Sequence, residues 1–207
     1  IERIKIPVSG TIIRENPYAH WHYLSSSAKA HFVKKICVFG PESTGKTVLT
    51  ERLAAHYKTE FVPEVARHII DDEGGRVTYE IIEKIGPAHA DAIIQKQRSA
   101  ERFLFVDTDV EITRLFSDYY FGKVPEFPAW VYAANSFDLY LFLETDTPYI
   151  DDPQRDSEHM REVFRNKLLE ILQVKNADYE IITGSWDERF EKAINAIEKR
   201  WPSGVKD

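Results

Sequence analysis

The sequence predicts an α/β fold: a five-stranded parallel sheet covered by helices on both faces. Three observations predict it. Five short apolar runs, at 36–39, 61–62, 103–106, 139–143 and 179–182, alternate with segments of helical spacing. The first run ends in Gly40, and four residues later come Gly45, Lys46 and Thr47. Glycine, four residues, then Gly-Lys-Thr between a strand and a helix is the pattern of a phosphate-binding loop. The third run ends in Asp107-Thr-Asp109. An acid at the end of a neighbouring strand is the second mark of a nucleotide site.

At 207 residues with 43% hydrophobic content, the chain suits one domain, or one domain and a piece of another. The net charge is −7 and no basic face or arm stands out, which argues against nucleic acid as a partner. No signal peptide and no long apolar run is present, so no membrane partner is expected. The single cysteine, Cys37, lies inside the first strand. One cysteine and no signal suit a soluble, cytoplasmic protein. Homo-oligomerisation is left open by the sequence.

The elements follow in order. In residues 1–33, Ser9-Gly10-Thr11 suits the start of a short helix through Ile12, Ile13 and Arg14. Ser25-Ser26-Ser27 reads as a hinge. The segment is too short for its own core and must dock on the body or on sequence outside this chain. The body spans 34–201. Its loop comprises Gly40, Pro41, Glu42, Ser43, Thr44, Gly45, Lys46, Thr47 and Val48. Backbone amides and the helix N-terminus there attract phosphate oxygens. Lys46 reaches the terminal phosphates of a bound nucleotide as a point charge, and the Thr47 hydroxyl suits Mg²⁺. Leu49, Leu53 and Tyr57 give the first helix of the body its apolar face.

Phe61-Val62 is a short second strand, and Pro63 suits a helix start. Glu64 and Arg67 then share one helix face at the carboxyl end of the sheet, where ligands sit. Gly74-Gly75 breaks the chain. Thr78 caps a long helical stretch to about Ala100, interrupted at Gly86-Pro87 and carrying His89, which reads as structural. Asp107 suits a metal. Asp109 faces the acceptor or caps the next helix, and both readings stay open. A helix over 110–121 ends at Gly122, and another over 125–135 carries Trp130 and Tyr132. Most of these aromatics suit the core, and one or two suit stacking on a flat ring.

The polar, proline-containing stretch 148–157 reads as a lid. Arg155 is its first candidate for closing over a transferring phosphate, ahead of Arg161 and Arg165 on the helix over 157–172. After the last strand, a helix over 185–201 carries Phe190, Ile194 and Ile197 on one face. Residues 202–207 read as a tail.

From 34 to 201 the chain resembles the nicotinamide riboside kinase domain of the bifunctional NadR proteins. The motifs that carry the resemblance are Phe-Gly-Pro-Glu-Ser-Thr-Gly-Lys-Thr, Pro-Glu-Val-Ala-Arg, Gly-Pro-Ala-His-Ala, Phe-Val-Asp-Thr-Asp and Phe-Leu-Glu-Thr-Asp-Thr-Pro-Tyr. Val8-Ser9-Gly10-Thr11-Ile12-Ile13-Arg14 is similar to the C-terminal motif of nicotinamide mononucleotide adenylyltransferases, where Ser9, Thr11 and Arg14 match. The transferase's His-x-Gly-His signature is absent. The resemblance implies a P-loop NTPase fold of the nucleoside- and nucleotide-kinase kind, preceded at 1–33 by the transferase's tail. It implies ATP, Mg²⁺ and nicotinamide riboside as ligands, with the adenylyltransferase activity belonging to a longer parent. Glu64 and Arg67 would face the acceptor, Thr47 and Asp107 would hold the metal, and Glu64 or Asp107 would be the base. Pro63 stands where some members carry a ring-stacking aromatic, so Tyr79, Trp130 or Tyr132 would supply the stack. Two other readings compete: a kinase of another nucleoside or nucleotide, and an ATP-sensing regulatory module.

Overall fold

The computed structural model describes residues 8–147 and 158–202, with side chains at 158 and 159 also excluded. Its core is one sheet of β1 (Lys34–Phe39), β2 (Phe61–Val62), β3 (Phe103–Asp107), β4 (Leu139–Leu143) and β5 (Tyr179–Ile182). The strand order is β2-β3-β1-β4-β5, and every pair is parallel. The chain leaves β1 for β2 and β3 on one side and then reaches β4 on the other. That reversal opens a crevice at the carboxyl ends of the central strands, where an open α/β sheet binds its ligands.

Successive strand residues point to opposite faces. Ile36, Val38, Phe103, Phe105, Leu139 and Leu141 face α3 (Lys46–Tyr57) and α9 (Trp186–Arg200), meeting Leu49, Leu53, Ala193 and Ile197. Cys37, Phe39, Tyr140 and Phe142 face α6 (Val110–Phe121) and α8 (Glu158–Val174). Leu104 and Val106 pack with Ile93 of α5 (Tyr79–Gln97). The central strands are therefore apolar on both faces, as a doubly covered parallel sheet requires.

Residues 8–33 form α1 (Gly10–Glu15), a 3-10 turn at Trp21–Tyr23 and α2 (Ser26–Phe32). Ser9 caps α1 as expected, accepting from the Ile12 amide. The serine run is not a hinge. Ser25 caps α2 by accepting from the Ala28 amide, because its oxygen satisfies a donor the helix leaves free. The later part of this segment docks on the body: Trp21 packs in the cluster of Val33, Val62 and Leu104. Gln97 also donates to the Ala30 carbonyl at 2.8 Å.

Two other expectations change. Helix α5 runs unbroken through Gly86-Pro87. Proline there removes one backbone bond, while burial of Ile81, Ile82, Ile85, Ala90 and Ile93 holds the helix together. Gly86 admits the Phe127 ring, which would lie 2.6 Å from an added Cβ. The aromatic helix α7 covers only Ala129–Ala134, with Pro128 before its first turn. Pro63 precedes α4 (Val65–Asp72), whose N-cap position is Glu64.

Ser185 and Glu188 form a reciprocal capping box at the start of α9. Ser185→Ala is expected to cost about 1 kcal/mol. Thermal denaturation should then show a midpoint lower by roughly 2–4 °C.

Candidate active site

The phosphate loop joins β1 to α3. Gly40 has φ +140, and a Cβ there would lie 2.7 Å from the Leu143 carbonyl oxygen. Gly45 has φ +83, and its missing Cβ leaves room for the Trp186 indole. Ser43 also takes a left-handed backbone, φ +57. Within the loop, Lys46 Nζ donates to the Pro41 carbonyl at 2.9 Å, and the Thr44 hydroxyl donates to the same oxygen at 2.8 Å. The N-terminus of α3 begins at Lys46 and adds positive partial charge.

Two buried arginines grip the loop from other elements. Arg189 of α9 donates to the carbonyls of Thr44 (2.8 Å), Gly184 (2.8 Å) and Glu144 (2.9 Å), and pairs with Asp146. Arg161 of α8 donates to the Ser43 carbonyl at 3.3 Å and to the Thr147 carbonyl at 2.9 Å. Arg161 was expected over a transferring phosphate. Its guanidinium is instead 5% exposed and engaged on backbone oxygens. Arg165 pairs with Glu144. Arg155 and the lid stretch 148–157 lie outside the described residues.

Asp107 ends β3 beside the loop. The Thr47 hydroxyl donates to Asp107 Oδ2 at 2.6 Å. Asp107 Oδ1 is buried and has no hydrogen-bond partner among the described residues. Burial pushes the Asp107 carboxyl up to about 6. Lys46 and the Thr47 bond oppose the rise, Glu64 adds to it and Arg67 opposes it, so all four groups share one field. Glu64 and Arg67 form an i,i+3 ion pair, at 3.9 Å.

A small cleft opens against the loop. Glu42, Lys46 and Glu64 give it a polar wall, and Leu115, Phe116 and Phe164 an apolar one. Phe116 and Phe164 have ring centroids 4.8 Å apart. These two rings were not singled out in the sequence, because an aromatic at helical spacing reads as core. The rings expected to stack on the acceptor are not among the residues lining this cleft. Trp130 stands exposed on α7, and Tyr132 packs on Phe127 and under Arg114; neither lines the cleft. Tyr79 lies under Lys123, also outside it. Asp109 is the N-cap of α6, accepting from the Glu111 amide at 2.8 Å and the Tyr140 hydroxyl at 3.0 Å. Its carboxylate is used inside the fold, 3.4 Å from Lys175, so the acceptor role expected of it is withdrawn. Val48 is exposed on α3, in a shallow hollow with Arg52 and Trp186 on the loop's outer side.

A family model described as an AAA domain matches residues 35–189. The chain belongs to that family. Over 205 residues, 96% of its length, it is 31% identical to the trifunctional NAD biosynthesis/regulator protein NadR of Salmonella typhimurium. The chain spans about half the length of the curated relatives it matches. A crystal structure of NadR protein in complex with NR superposes with a TM-score of 0.82 at 27% identity, covering 100% of this chain and 62% of that one. A second NadR structure, in complex with NAD and AMP-PNP, superposes at 0.79 with 26% identity, covering 100% and 60%. Thymidylate kinase from Candida albicans shares the fold, with a TM-score of 0.60 at 14% identity over 84% of this chain and 96% of its own. The five-stranded parallel sheet of this AAA-domain protein is thus that of the nucleotide kinases. No helix among the described residues is long and apolar enough to cross a membrane.

The raised Asp107 carboxyl has a consequence for stability. Between pH 3.8 and about 6 the folded state holds a proton that the unfolded state has lost. Stability of the metal-free protein therefore falls as pH rises through that window. The shift corresponds to about 3 kcal/mol. Asp107→Asn should raise the thermal midpoint at pH 8, with nucleotide and chelatable metal removed. The gain should shrink at pH 4. A midpoint at pH 8 equal to or below wild type would contradict the buried, unpaired carboxylate.

Proposed function

We propose that this chain transfers the γ-phosphate of ATP to the 5′-hydroxyl of nicotinamide riboside, yielding nicotinamide mononucleotide for NAD biosynthesis. The observation that carries the reading is a single cleft shared by two parts. One wall carries the phosphate loop with its lysine and the acid Glu64, and the other is apolar and includes the Phe116 ring. Similarity to NadR proteins solved with NR and with AMP-PNP supports the choice of acceptor and donor.

Lys46 exchanges its bond to the Pro41 carbonyl for the terminal phosphates of ATP. The loop amides and the α3 N-terminus hold the remaining phosphate charge. Glu64 lines the cleft and accepts the proton of the attacking hydroxyl, and Arg67 beside it orients the ribose. The half-buried Phe116 supplies a flat, electron-rich face for a cationic pyridinium ring, with the buried Phe164 packed behind it. Positioning and charge account for most of the rate in such transfers.

The donor set fits Mg²⁺. Asp107 Oδ1 is a buried carboxylate oxygen in want of a partner, and Thr47 contributes a hydroxyl beside it. Among the described residues no group of three His, Cys, Asp or Glu could cage a metal. Mg²⁺ is commonly held by one or two protein oxygens and the nucleotide's phosphates. Bound there, it would neutralise charge on the β- and γ-phosphate oxygens.

We also assign residues 1–33 to the tail of an adenylyltransferase domain; of its motif, Ser9 caps α1 and Thr11 and Arg14 lie on that helix. The buried, free Cys37 accords with a reducing compartment, and we place the reaction in the cytoplasm.

Lys46→Ala should lower kcat with ATP and nicotinamide riboside by about 10²–10³-fold, the scale of losing one charge-stabilising group. Circular dichroism should be unchanged. A variant turning over near the wild-type rate would sink the site. In an acceptor panel, turnover of thymidine or a nucleotide but not of the riboside would replace the acceptor. Tight ATP binding without acceptor-dependent ADP release would favour the sensing reading.

A further inference from the structure

A peptide group is planar and trans, so its carbonyl and the N–H that follows point in opposite directions. Fixing the oxygen on one side of the chain therefore fixes the next amide on the other. An anion cradle depends on this, because it needs successive amides turned toward the anion and their oxygens turned away.

At two consecutive peptides of the phosphate loop, a buried guanidinium holds the oxygen. The Ser43 carbonyl accepts from Arg161 Nη2 at 3.3 Å, and the Thr44 carbonyl accepts from Arg189 Nη1 at 2.8 Å. The two arginines come from α8 and α9, which cover opposite faces of the sheet. Each is anchored elsewhere. Arg161 also donates to the Thr147 carbonyl at 2.9 Å and to its hydroxyl at 3.0 Å. Arg189 donates to the Gly184 and Glu144 carbonyls and pairs with Asp146 Oδ1. The other oxygen of Asp146 accepts from the Gly184 amide at 2.6 Å. The loop backbone between these ties is left-handed at Ser43, φ +57, and again at Gly45, φ +83. Glycine takes that conformation without cost, whereas serine holds it only where its surroundings impose it.

We propose that Arg161 and Arg189 are positioning residues for phosphate: Arg161 aims the Thr44 amide and Arg189 aims the Gly45 amide, each through the carbonyl of the same peptide. Both act through the backbone, without touching the phosphate. A guanidinium bond to a carbonyl out of water is stronger than a neutral one, which suits it to hold a peptide plane. The inference rests on the reading of this loop as a phosphate site and is independent of the acceptor.

Amide-resolved NMR on the isotopically labelled full chain tests it, with inorganic tripolyphosphate as the probe. An amide proton that bonds a phosphate oxygen moves downfield, and in wild type the Thr44 and Gly45 protons should both do so. Arg189→Met should remove most of the Gly45 shift and leave that of Thr44. Arg161→Met should do the reverse. Each variant should weaken tripolyphosphate binding by about tenfold. Each should raise KM for Mg·ATP by a similar factor and change KM for nicotinamide riboside less than about twofold. Should a methionine variant fail to fold, lysine at that position takes its place. It keeps the charge but lacks the fork that spans separate carbonyls, so the same amide should lose its response. Equal losses at both amides would overturn the assignment, because loosening or loss of charge has no such selectivity. Unchanged shifts at both would overturn it too. A wild-type chain that does not bind tripolyphosphate would sink the proposal and the phosphate site together. One that binds it but never phosphorylates the riboside would sink the acceptor reading alone.

Discussion

The parallel pairing of β1 with β3 is the constraint on which the rest depends. It sets Val38 opposite Asp107, so the phosphate loop and the acid leave the sheet at the same edge. The register is fixed by burial, because Ile36, Val38, Phe103 and Phe105 are all fully enclosed on one face. A slip of one residue would turn every one of these side chains to the opposite face. It would also carry Asp107 out of reach of the Thr47 hydroxyl. The short bond between those two side chains is thus a product of hydrophobic packing more than of their own attraction.

Around that bond the fold keeps unusual charge out of water. Asp107 is fully buried and Arg189 is 1% exposed. Buried charges are tolerated when their hydrogen bonds are made, and they favour one geometry over its neighbours more than they add stability. Arg189 meets that condition with three carbonyls and Asp146, and in doing so joins α9 and the end of β4 to the loop. Asp107 meets it only in part. The result is a rigid cradle beside an acid with an unsatisfied oxygen, an arrangement disposed to take up a cation with a polyphosphate.

The fold and the donor side were legible because their signals are local. A glycine-bounded loop after an apolar run, a lysine, a threonine and an acid ending the next buried strand can be read from spacing alone. Ser9, Thr78 and Gly122 marked helix ends for the same reason. The apolar wall of the cleft was not legible. Phe116 and Phe164 lie on α6 and α8, and only packing against β4 and β1 shows which side of each helix meets the cleft. Arg189 looked like an ordinary charged position and Arg161 like a phosphate contact, because their carbonyl partners are far away in the chain. Asp109 and Asp107 differ by two residues but not in type. One caps a helix and the other faces the loop, and the left-handed Thr108 between them separates the two roles.

The contact between Gly45 and Trp186 has a wider consequence. The place of a β-carbon on the glycine lies 2.0 Å from the indole, so bulk can enter one site only as it leaves the other. Gly45 is held to glycine by that indole and by its own φ of +83, however distant the two positions are in the chain. The same indole is about half exposed. It is in effect a built-in optical probe on the outer side of the cradle, whose emission would report movement of the loop without any attached dye.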